Sequence, residues 1–357
     1  MKERGRMEKI LSYIVPRRRL AIPVLLLIGT AVLILARTAG DMPRNTRSVP
    51  EFEEYTYESL LSTFHNVTQI NPHEYNYLHS PIKICKANGN SEDPELLILV
   101  KSDVTHFSYR MGIRSTWGNF SINSLKLVFL LGYSSTIEDL VRRENDKYHD
   151  LVQENFIDAY RNNTLKTIMA FNWAVRTCPG TKYVLFVDDD YFVNVNSVTE
   201  FLKVNATLEN DLFVGFKVEN ARVFRYVESQ WYMTKPEYPF LHYPPYISGG
   251  AMLLSMKTAM IIQNSLAYVR YLYVDDVYIG IVVYLLNINL SHSDRFALTF
   301  ASDNLDSCLA AHNYGSPDNL IQEWRIFLRR HYDYTVHIYS QQMKDILYMN
   351  DRVQHSV

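Results

Sequence analysis

Three consecutive aspartates, Asp188, Asp189 and Asp190, follow an apolar run and are the residue types in this chain best suited to chemistry. The run from Tyr183 to Val187 is rich in β-branched and aromatic residues, which predicts a buried strand. The carboxylates then emerge at its C-terminal end, where open α/β sheets bind ligands. Clustered carboxylates repel one another without a cation, and hard oxygen donors suit Mg²⁺ or Mn²⁺ shared with a phosphate-bearing substrate. The alternative to a metal site is that the three aspartates lie in a solvated loop after the strand.

Strand-like and helix-like segments alternate around the triplet. Strands are predicted at 96–100, 126–131 and 211–216, and helical patterns are found near 109–117 and across 165–173. Strands separated by helical lengths indicate βαβ units. We therefore expect an α/β fold with a mainly parallel, mixed sheet flanked by helices.

The N-terminus indicates a membrane anchor. Residues 20–36 form an uncharged apolar run at the short end of the spanning range, and Arg37 follows without a convincing cleavage site. Seven basic residues precede this run, which predicts a cytosolic tail at 1–19 and a lumenal or extracellular remainder. The sequence thus predicts an uncleaved signal anchor, a single transmembrane helix.

Beyond the anchor the composition is that of a globular protein. Hydrophobic residues make up 47% of the chain and aromatic residues 13%. A net charge of -2 argues against a nucleic-acid partner. Residues 37–93 are polar and lack a sustained period, which predicts a stem, and residues 94–357 are predicted to form the lumenal catalytic domain.

Cysteines and glycosylation sequons agree with a lumenal location. Cys85, Cys178 and Cys308 all follow the anchor, so at most one internal disulfide forms, and the sequence leaves the pairing open. Their spacing is not that of a zinc site. Asn-X-Ser/Thr acceptors occur at Asn66, Asn119, Asn162, Asn205 and Asn289.

A series of short motifs runs along the chain in a specific order. The motifs are R-x-x-I-R-x-T-W from Arg110 to Trp117, FLLG at 129–132, the acidic triplet, YPPYISGG at 243–250, DDVYIG at 275–280, and Cys308 with His312. This series resembles the β-1,3-glycosyltransferase family, which includes β-1,3-galactosyltransferases and β-1,3-N-acetylglucosaminyltransferases and is distantly similar to the Fringe enzymes. The resemblance covers roughly residues 94–325.

The resemblance implies a GT-A-type, Rossmann-like fold and a type II Golgi membrane protein. It implies inverting transfer of galactose or N-acetylglucosamine from a UDP-sugar, in β-1,3 linkage, with Mn²⁺ or Mg²⁺ as cofactor. The implied acceptor is a glycan on a glycoprotein, glycolipid or proteoglycan.

The resemblance also assigns roles to the acidic residues. Asp190, with Asp188 nearby and His312 as a further ligand, is expected to hold the metal that neutralises the leaving diphosphate. Inversion needs a base opposite the leaving group, and Asp276 matches the family's catalytic aspartate. Apolar neighbours and Asp275 are expected to raise the pKa of Asp276. The alternative to a catalytic role is that Asp275 and Asp276 only begin a helix, where aspartate is favoured.

Further residues are assigned to the substrates. Arg110 and Arg114 lie four apart after a strand, where guanidinium groups reach a diphosphate, although a solvated cationic face is the alternative. The resemblance adds Lys166, Asp188 and Asp189 to the donor site. The acceptor or transferred sugar is assigned to the residues Trp231, Tyr246, Gly249, Gly250 and Asp275.

Two other functional classes stay open. A metal-dependent phosphohydrolase also uses clustered carboxylates, but it normally needs more ligands for a second metal. A catalytically inactive, carbohydrate-binding pseudoenzyme would retain the fold, yet neither Asp190 nor Asp276 is lost. The chain also departs from the family pattern, with Phe186 where relatives often carry Lys, Asn163 for Leu, and Asp275 for Glu.

Overall fold

An eight-stranded mixed sheet organises the protein. The computed structural model describes residues 53–85, 93–120, 124–205, 211–299, 305–312 and 314–331. The predicted anchor at 20–36 lies outside these ranges, and none of the helices within them is long and apolar enough to cross a bilayer.

The strands alternate with helices along most of the chain. The strands are β1 Tyr77–His79, β2 Leu96–Lys101, β3 Leu125–Tyr133, β4 Leu151–Ile157, β5 Tyr183–Asp188, β6 Phe192–Val193, β7 Phe213–Val218, β8 Tyr246–Ser255, β9 Ser291–His292, β10 Phe296–Ala297 and β11 Ala310–Ala311. The helices are α1 Tyr57–Phe64, α2 Phe107–Ser115, α3 Glu138–Tyr148, α4 Asn163–Thr177, α5 Val195–Val204, α6 Met256–Leu266, α7 Asp275–Leu285 and α8 Pro317–His331.

The sheet is parallel at its centre and mixed at its edges. Its strand order is β1-β4-β3-β2-β5-β8-β7-β9, and β10, β11 and β6 form a second, small sheet. Strands β4, β3, β2 and β5 pair in parallel, whereas β8 is antiparallel to β5 and β7, and β1 is antiparallel to β4. This arrangement confirms the predicted mainly parallel sheet with a mixed edge.

Both faces of the central strands are buried, because helices cover each side. In β2, Leu97 and Leu99 pack in the core on one face with residues of α4, while Ile98 and Val100 pack in the core on the other. Alternation of side chains along a strand produces this division. The apolar runs that predicted β2 and β5 are therefore explained by burial on both faces.

The structure corrects the predicted stem. Within residues 53–85, α1 buries Leu60 and Phe64 completely, and β1 extends the main sheet at its edge. A disulfide joins Cys85 to Cys178 at the end of α4, while Cys308 is buried as a free thiol. These residues pack with the catalytic unit, so a boundary at residue 93 is too late for the described part of the stem.

The described sequons differ in accessibility. Asn66, Asn119 and Asn289 are exposed, whereas Asn162 and Asn205 are half-buried. The Asn162 side-chain amide donates to the Ile157 carbonyl oxygen, and the Thr164 of that sequon is fully buried.

Candidate active site

The acidic triplet divides at the carboxyl edge of the sheet. Asp188 and Asp190 line one side of a cavity of about 620 Å³. Asp189 instead is buried, where its Oδ2 accepts from the Ser102 hydroxyl at 2.6 Å and lies 3.0 Å from His106 Nδ1. The strand ends at Asp188 and the chain turns at Asp189 and Asp190, which separates Asp189 from its neighbours.

Lys101 is a cavity residue that the sequence analysis missed. It ends β2 and pairs in register with Asp188 at the end of β5. Its buried ammonium lies 3.1 Å from Asp188 Oδ1 and donates to Asp275 Oδ2 at 2.9 Å and to the Gly249 carbonyl at 3.0 Å. Burial lowers the pKa of Lys101, but the two aspartates more than offset this and hold it above its ordinary value. The lysine therefore stays charged.

Asp276 projects from the first turn of α7 into the same cavity. Its Oδ2 accepts from the Gly249 N–H at 3.1 Å and its Oδ1 from the Val277 N–H at 2.8 Å. Burial, reinforced by the charge of Asp275, raises the pKa of Asp276 to about 6 against these two hydrogen bonds. A carboxylate with this pKa is ionised at neutral pH and is a stronger base than an ordinary aspartate.

Asp275 has a different environment from its neighbour. Its Oδ2 accepts from Lys101 and, at 2.7 Å, from the Thr167 hydroxyl. Burial alone would raise the pKa of Asp275, but Lys101 and Thr167 outweigh it and hold the pKa below its ordinary value. The pKa values of the two adjacent aspartates are thus pushed apart. Asp275 stays ionised, whereas Asp276 gains and loses its proton near neutral pH.

The side chains of Asp190 and His312 meet in the same cavity. His312 Nε2 lies 3.0 Å from Asp190 Oδ2, and this hydrogen bond raises the pKa of His312. The other carboxylate oxygen, Asp190 Oδ1, is buried without a hydrogen-bond partner among the described residues. A buried oxygen of this kind fits a cation ligand. Asp188 and Asp190 with His312 are called the acidic edge below.

Burial raises the pKa of Asp188 to about 7, with Asp190 and Asp275 adding to the effect and Lys101 opposing it. The side chain nevertheless keeps 36% of its surface exposed, so hydration moderates the shift. In total, four carboxylates and one lysine line the cavity together with His312. The cavity therefore contains more carboxylates than cationic side chains, which favours binding of a cation.

An aromatic wall forms another part of the cavity lining. This aromatic wall consists of Tyr160, Phe224, Trp231, Tyr243, Tyr246 and Tyr273. Trp231 and Tyr246, predicted to bind a sugar, thus lie in the same cavity as Asp276.

Gly249 and Gly250 also line the cavity, and the structure gives a reason for both glycines. A Cβ at Gly249 would lie 3.1 Å from Asp276 Cβ, and one at Gly250 would collide with the Tyr191 hydroxyl. The pair therefore makes room for the catalytic candidate and for Tyr191, in addition to any sugar.

Four predicted donor residues do not line the cavity: Asp189, described above, and three cationic residues. Arg110 is fully buried and forms a bidentate ion pair with Glu144, while Arg114 binds both Asp150 and Glu144. Lys166 is buried and binds Asp158 at 3.0 Å and the Ser102 carbonyl. The two arginines do share a helix face, as predicted, but none of the three residues lines the cavity. Their cationic groups are occupied by internal carboxylates, so the structure does not place them on a diphosphate.

Among the described residues, no three His, Cys, Asp or Glu side chains are grouped closely enough to enclose a metal ion. The arrangement is compatible with a cation that has few protein ligands and is completed by substrate phosphates, as is usual for Mg²⁺.

The fold and cavity define an α/β protein with an acidic ligand site at the carboxyl edge of a mainly parallel sheet. The galactosyltransferase family model matches residues 108–294, a range that contains the triplet and Asp276. The chain is 35% identical over 237 residues to the β-1,3-galactosyltransferase brn of Drosophila melanogaster, covering 64% of this chain and 73% of that protein.

Two further relatives agree. β-1,3-Galactosyltransferase 1 of Mus musculus is 35% identical over 253 residues, which is 69% of this chain and 76% of that protein. β-1,3-Galactosyltransferase 5 of Pan troglodytes is 33% identical over 277 residues, which is 74% of this chain and 91% of that protein. The chain belongs to the β-1,3-galactosyltransferase family and is a glycosyltransferase.

Proposed function

We propose that this protein is an inverting β-1,3-galactosyltransferase that transfers galactose from UDP-galactose to the 3-hydroxyl of a sugar in a glycan acceptor. The relatives described above are all named β-1,3-galactosyltransferases, which favours galactose over N-acetylglucosamine. The GT-A assignment, the type II Golgi location and a role in protein glycosylation belong to the same proposal and rest on the family resemblance.

One observation carries the proposal: Asp276, whose pKa is raised to about 6, lies in one cavity with the acidic edge. The acceptor hydroxyl oxygen attacks the anomeric carbon of the donor while its proton passes to the Asp276 carboxylate. The bond from the anomeric carbon to UDP breaks, and the electron pair leaves with the diphosphate. Attack opposite the leaving group inverts the anomeric configuration.

The residues at the acidic edge fit Mn²⁺ or Mg²⁺. Asp190, through its Oδ1, which has no hydrogen-bond partner among the described residues, and His312 would hold the ion, with Asp188 beside them. When bound, the ion neutralises the charge that develops on the departing diphosphate. His312 must lose its proton to become a ligand, so its raised pKa makes ion binding weaker at low pH.

Lys101 maintains the geometry between the two ends of the cavity. By binding Asp188, Asp275 and the Gly249 carbonyl, it joins β5, α7 and β8 at the point where the reaction is proposed. Since Gly249 donates its N–H to Asp276, the lysine also fixes the part of β8 that orients the base.

The experiment is release of UDP by the full-length protein with Mn²⁺, with UDP-galactose and UDP-N-acetylglucosamine offered separately to β-linked acceptors. Acceptor-dependent release from UDP-galactose is the expected result. Release from UDP-N-acetylglucosamine alone would show that N-acetylglucosamine, and not galactose, is the transferred sugar. No release from either, together with intact folding and no metal-dependent UDP binding, would favour the inactive pseudoenzyme.

A further inference from the structure

An exposed apolar surface continues outward from the aromatic wall of the cavity. This outer aromatic patch comprises Phe224, Tyr226, Val227 and Trp231. The Phe224 ring lies 5.3 Å from the Trp231 ring and 5.6 Å from the Tyr226 ring, so the three rings form a continuous surface. Tyr226 is 56% exposed, Val227 68% and Trp231 42%. Phe224 and Trp231 line the cavity, whereas Tyr226 and Val227 lie beyond it.

Hydrogen bonds to the backbone anchor the segment that carries the patch, residues 224–231. Arg225 donates to the carbonyl oxygens of Met233, Tyr238 and Phe240 at 2.8, 2.6 and 2.8 Å. The Met233 N–H donates to the Phe224 carbonyl at 2.9 Å, and the Met233 side chain is fully buried. The exposed rings are therefore presented on an ordered backbone, which lowers the entropic cost of binding to them.

Contacts around the base give the direction from donor to acceptor. A Cβ at Gly280, one turn beyond Asp276 in α7, would lie 2.5 Å from Tyr246 Cβ, so the helix that carries the base packs against the aromatic wall. Tyr191, whose ring lies 4.9 Å from the His312 ring, packs against Gly250, the neighbour of the Gly249 that donates to Asp276. Asp276 is thus adjacent both to the acidic edge and to the aromatic wall. An acceptor whose hydroxyl reaches Asp276 opposite the leaving group must extend toward the aromatic wall and the outer aromatic patch.

We propose that the outer aromatic patch binds the second sugar ring of the acceptor, so that the preferred acceptor is an oligosaccharide of at least two rings. This inference rests on the proposed transferase function. Apolar faces of pyranose rings pack on aromatic rings, and flanking polar groups bind their hydroxyls. The exposed Glu228 and Gln230 interrupt the patch and supply such groups. A lipid chain would gain nothing from these two residues, which is why a sugar is the favoured occupant.

The test compares kcat/KM for a monosaccharide and a disaccharide acceptor that share the same accepting sugar and the same small aglycone. The wild-type protein is expected to prefer the disaccharide. The ratio of the two values is expected to fall about tenfold in Tyr226→Ala and in Trp231→Ala, as expected for loss of an aromatic contact. Trp231→Phe keeps a flat ring and is expected to preserve most of the preference. Tyr57→Ala, a change at a 41% exposed tyrosine that packs on Tyr284 away from the cavity, is the matched control and leaves the ratio unaltered.

Three results separate the possible failures. Equal kcat/KM for both acceptors in the wild-type protein, or an unchanged ratio in both alanine variants, overturns the second-ring site while the transferase function stands. A monosaccharide with a long alkyl aglycone that matches the disaccharide, and loses the advantage in the same variants, assigns the patch to a lipid instead of a sugar. Absence of transfer to every acceptor contradicts the proposed function itself.

Discussion

Two charged clusters of the described residues differ in how completely their charges are paired. The arginine cluster, made of Arg110, Arg114, Glu144 and Asp150, contains two cations and two carboxylates joined by close hydrogen bonds. The cavity contains four carboxylates, one lysine and His312. A balanced, buried cluster stabilises the fold, whereas an excess of one charge beside a cavity leaves groups available for a ligand.

This comparison reverses the expectation drawn from the arginines. Cationic residues close to a proposed diphosphate site are attractive donor ligands, yet here their partners are supplied by the chain itself. The proposed binding site is therefore the acidic edge, where the carboxylates outnumber the cations of the chain.

The largest effect is expected from Asp276→Asn. The amide cannot accept the acceptor's proton, so kcat is expected to fall by about 10²- to 10⁴-fold, the range found for positioned general bases. Binding of UDP with Mn²⁺ is expected to stay near the wild-type level, as measured by calorimetry. Near-normal turnover would remove Asp276 as the base.

Arg110→Met tests the arginine cluster. It leaves the buried Glu144 without its bidentate partner, and the free energy of unfolding is expected to drop by about 3–5 kcal/mol. Chemical denaturation measures this change. At a temperature where the variant is folded, KM for the donor is expected to be unaltered. A selective rise in donor KM without loss of stability would restore the predicted diphosphate contact.

The pH dependence distinguishes the two adjacent aspartates. Because the pKa of Asp276 is raised to about 6 and only the ionised form accepts a proton, kcat/KM is expected to fall as pH drops below about 6, by up to about tenfold per pH unit. In Asp275→Asn the neighbouring charge is absent, so the pKa of Asp276 falls and this acidic limb moves to lower pH. If the acidic limb of kcat/KM lies at the same pH in Asp275→Asn as in the wild type, a group other than Asp276 controls the pH dependence.

The same shift has a consequence for stability. A carboxyl whose pKa is higher in the folded than in the unfolded state binds protons more tightly when folded, so ionisation of Asp276 destabilises the protein. Its unfavourable contribution is present above about pH 6 and diminishes as pH falls toward the unfolded value. Asp276→Asn is therefore expected to gain less stability than the wild-type protein on acidification from pH 7 to 5, as measured by thermal unfolding.

The sequence predicted the sheet edge well, because the strands that build it are buried on both faces and appear as apolar runs. It also assigned Asp188, Asp190, Asp276 and His312 to the active site, and these four residues line one cavity, while their roles stay predictions. Strand β4 was missed, since its Gln153 and Glu154 are buried polar residues that break the apolar pattern.

Other features depended on contacts distant in the sequence. Lys101 looks like an ordinary end to an apolar strand, and its role emerges only from its register with Asp188 and its contact with Asp275. Arg110 and Arg114 find their partners more than thirty positions away, at Glu144 and Asp150, which no local pattern reveals. The described part of the stem was misassigned for a similar reason, because Leu60 and Phe64 are too few to give a clear period.

The most direct test of the contrast between the clusters is calorimetric titration of UDP into the protein with Mn²⁺, for the wild type, Asp190→Asn and Asp150→Asn. Both substitutions are isosteric. Asp190→Asn changes a cavity carboxylate that has one oxygen without a partner in the described part of the chain, and Asp150→Asn changes a carboxylate already paired with Arg114. The account predicts that Asp190→Asn weakens metal-dependent UDP binding by about tenfold or more and that Asp150→Asn leaves it unchanged. Equal affinity of Asp190→Asn and the wild type, or a comparable loss in folded Asp150→Asn, would contradict it.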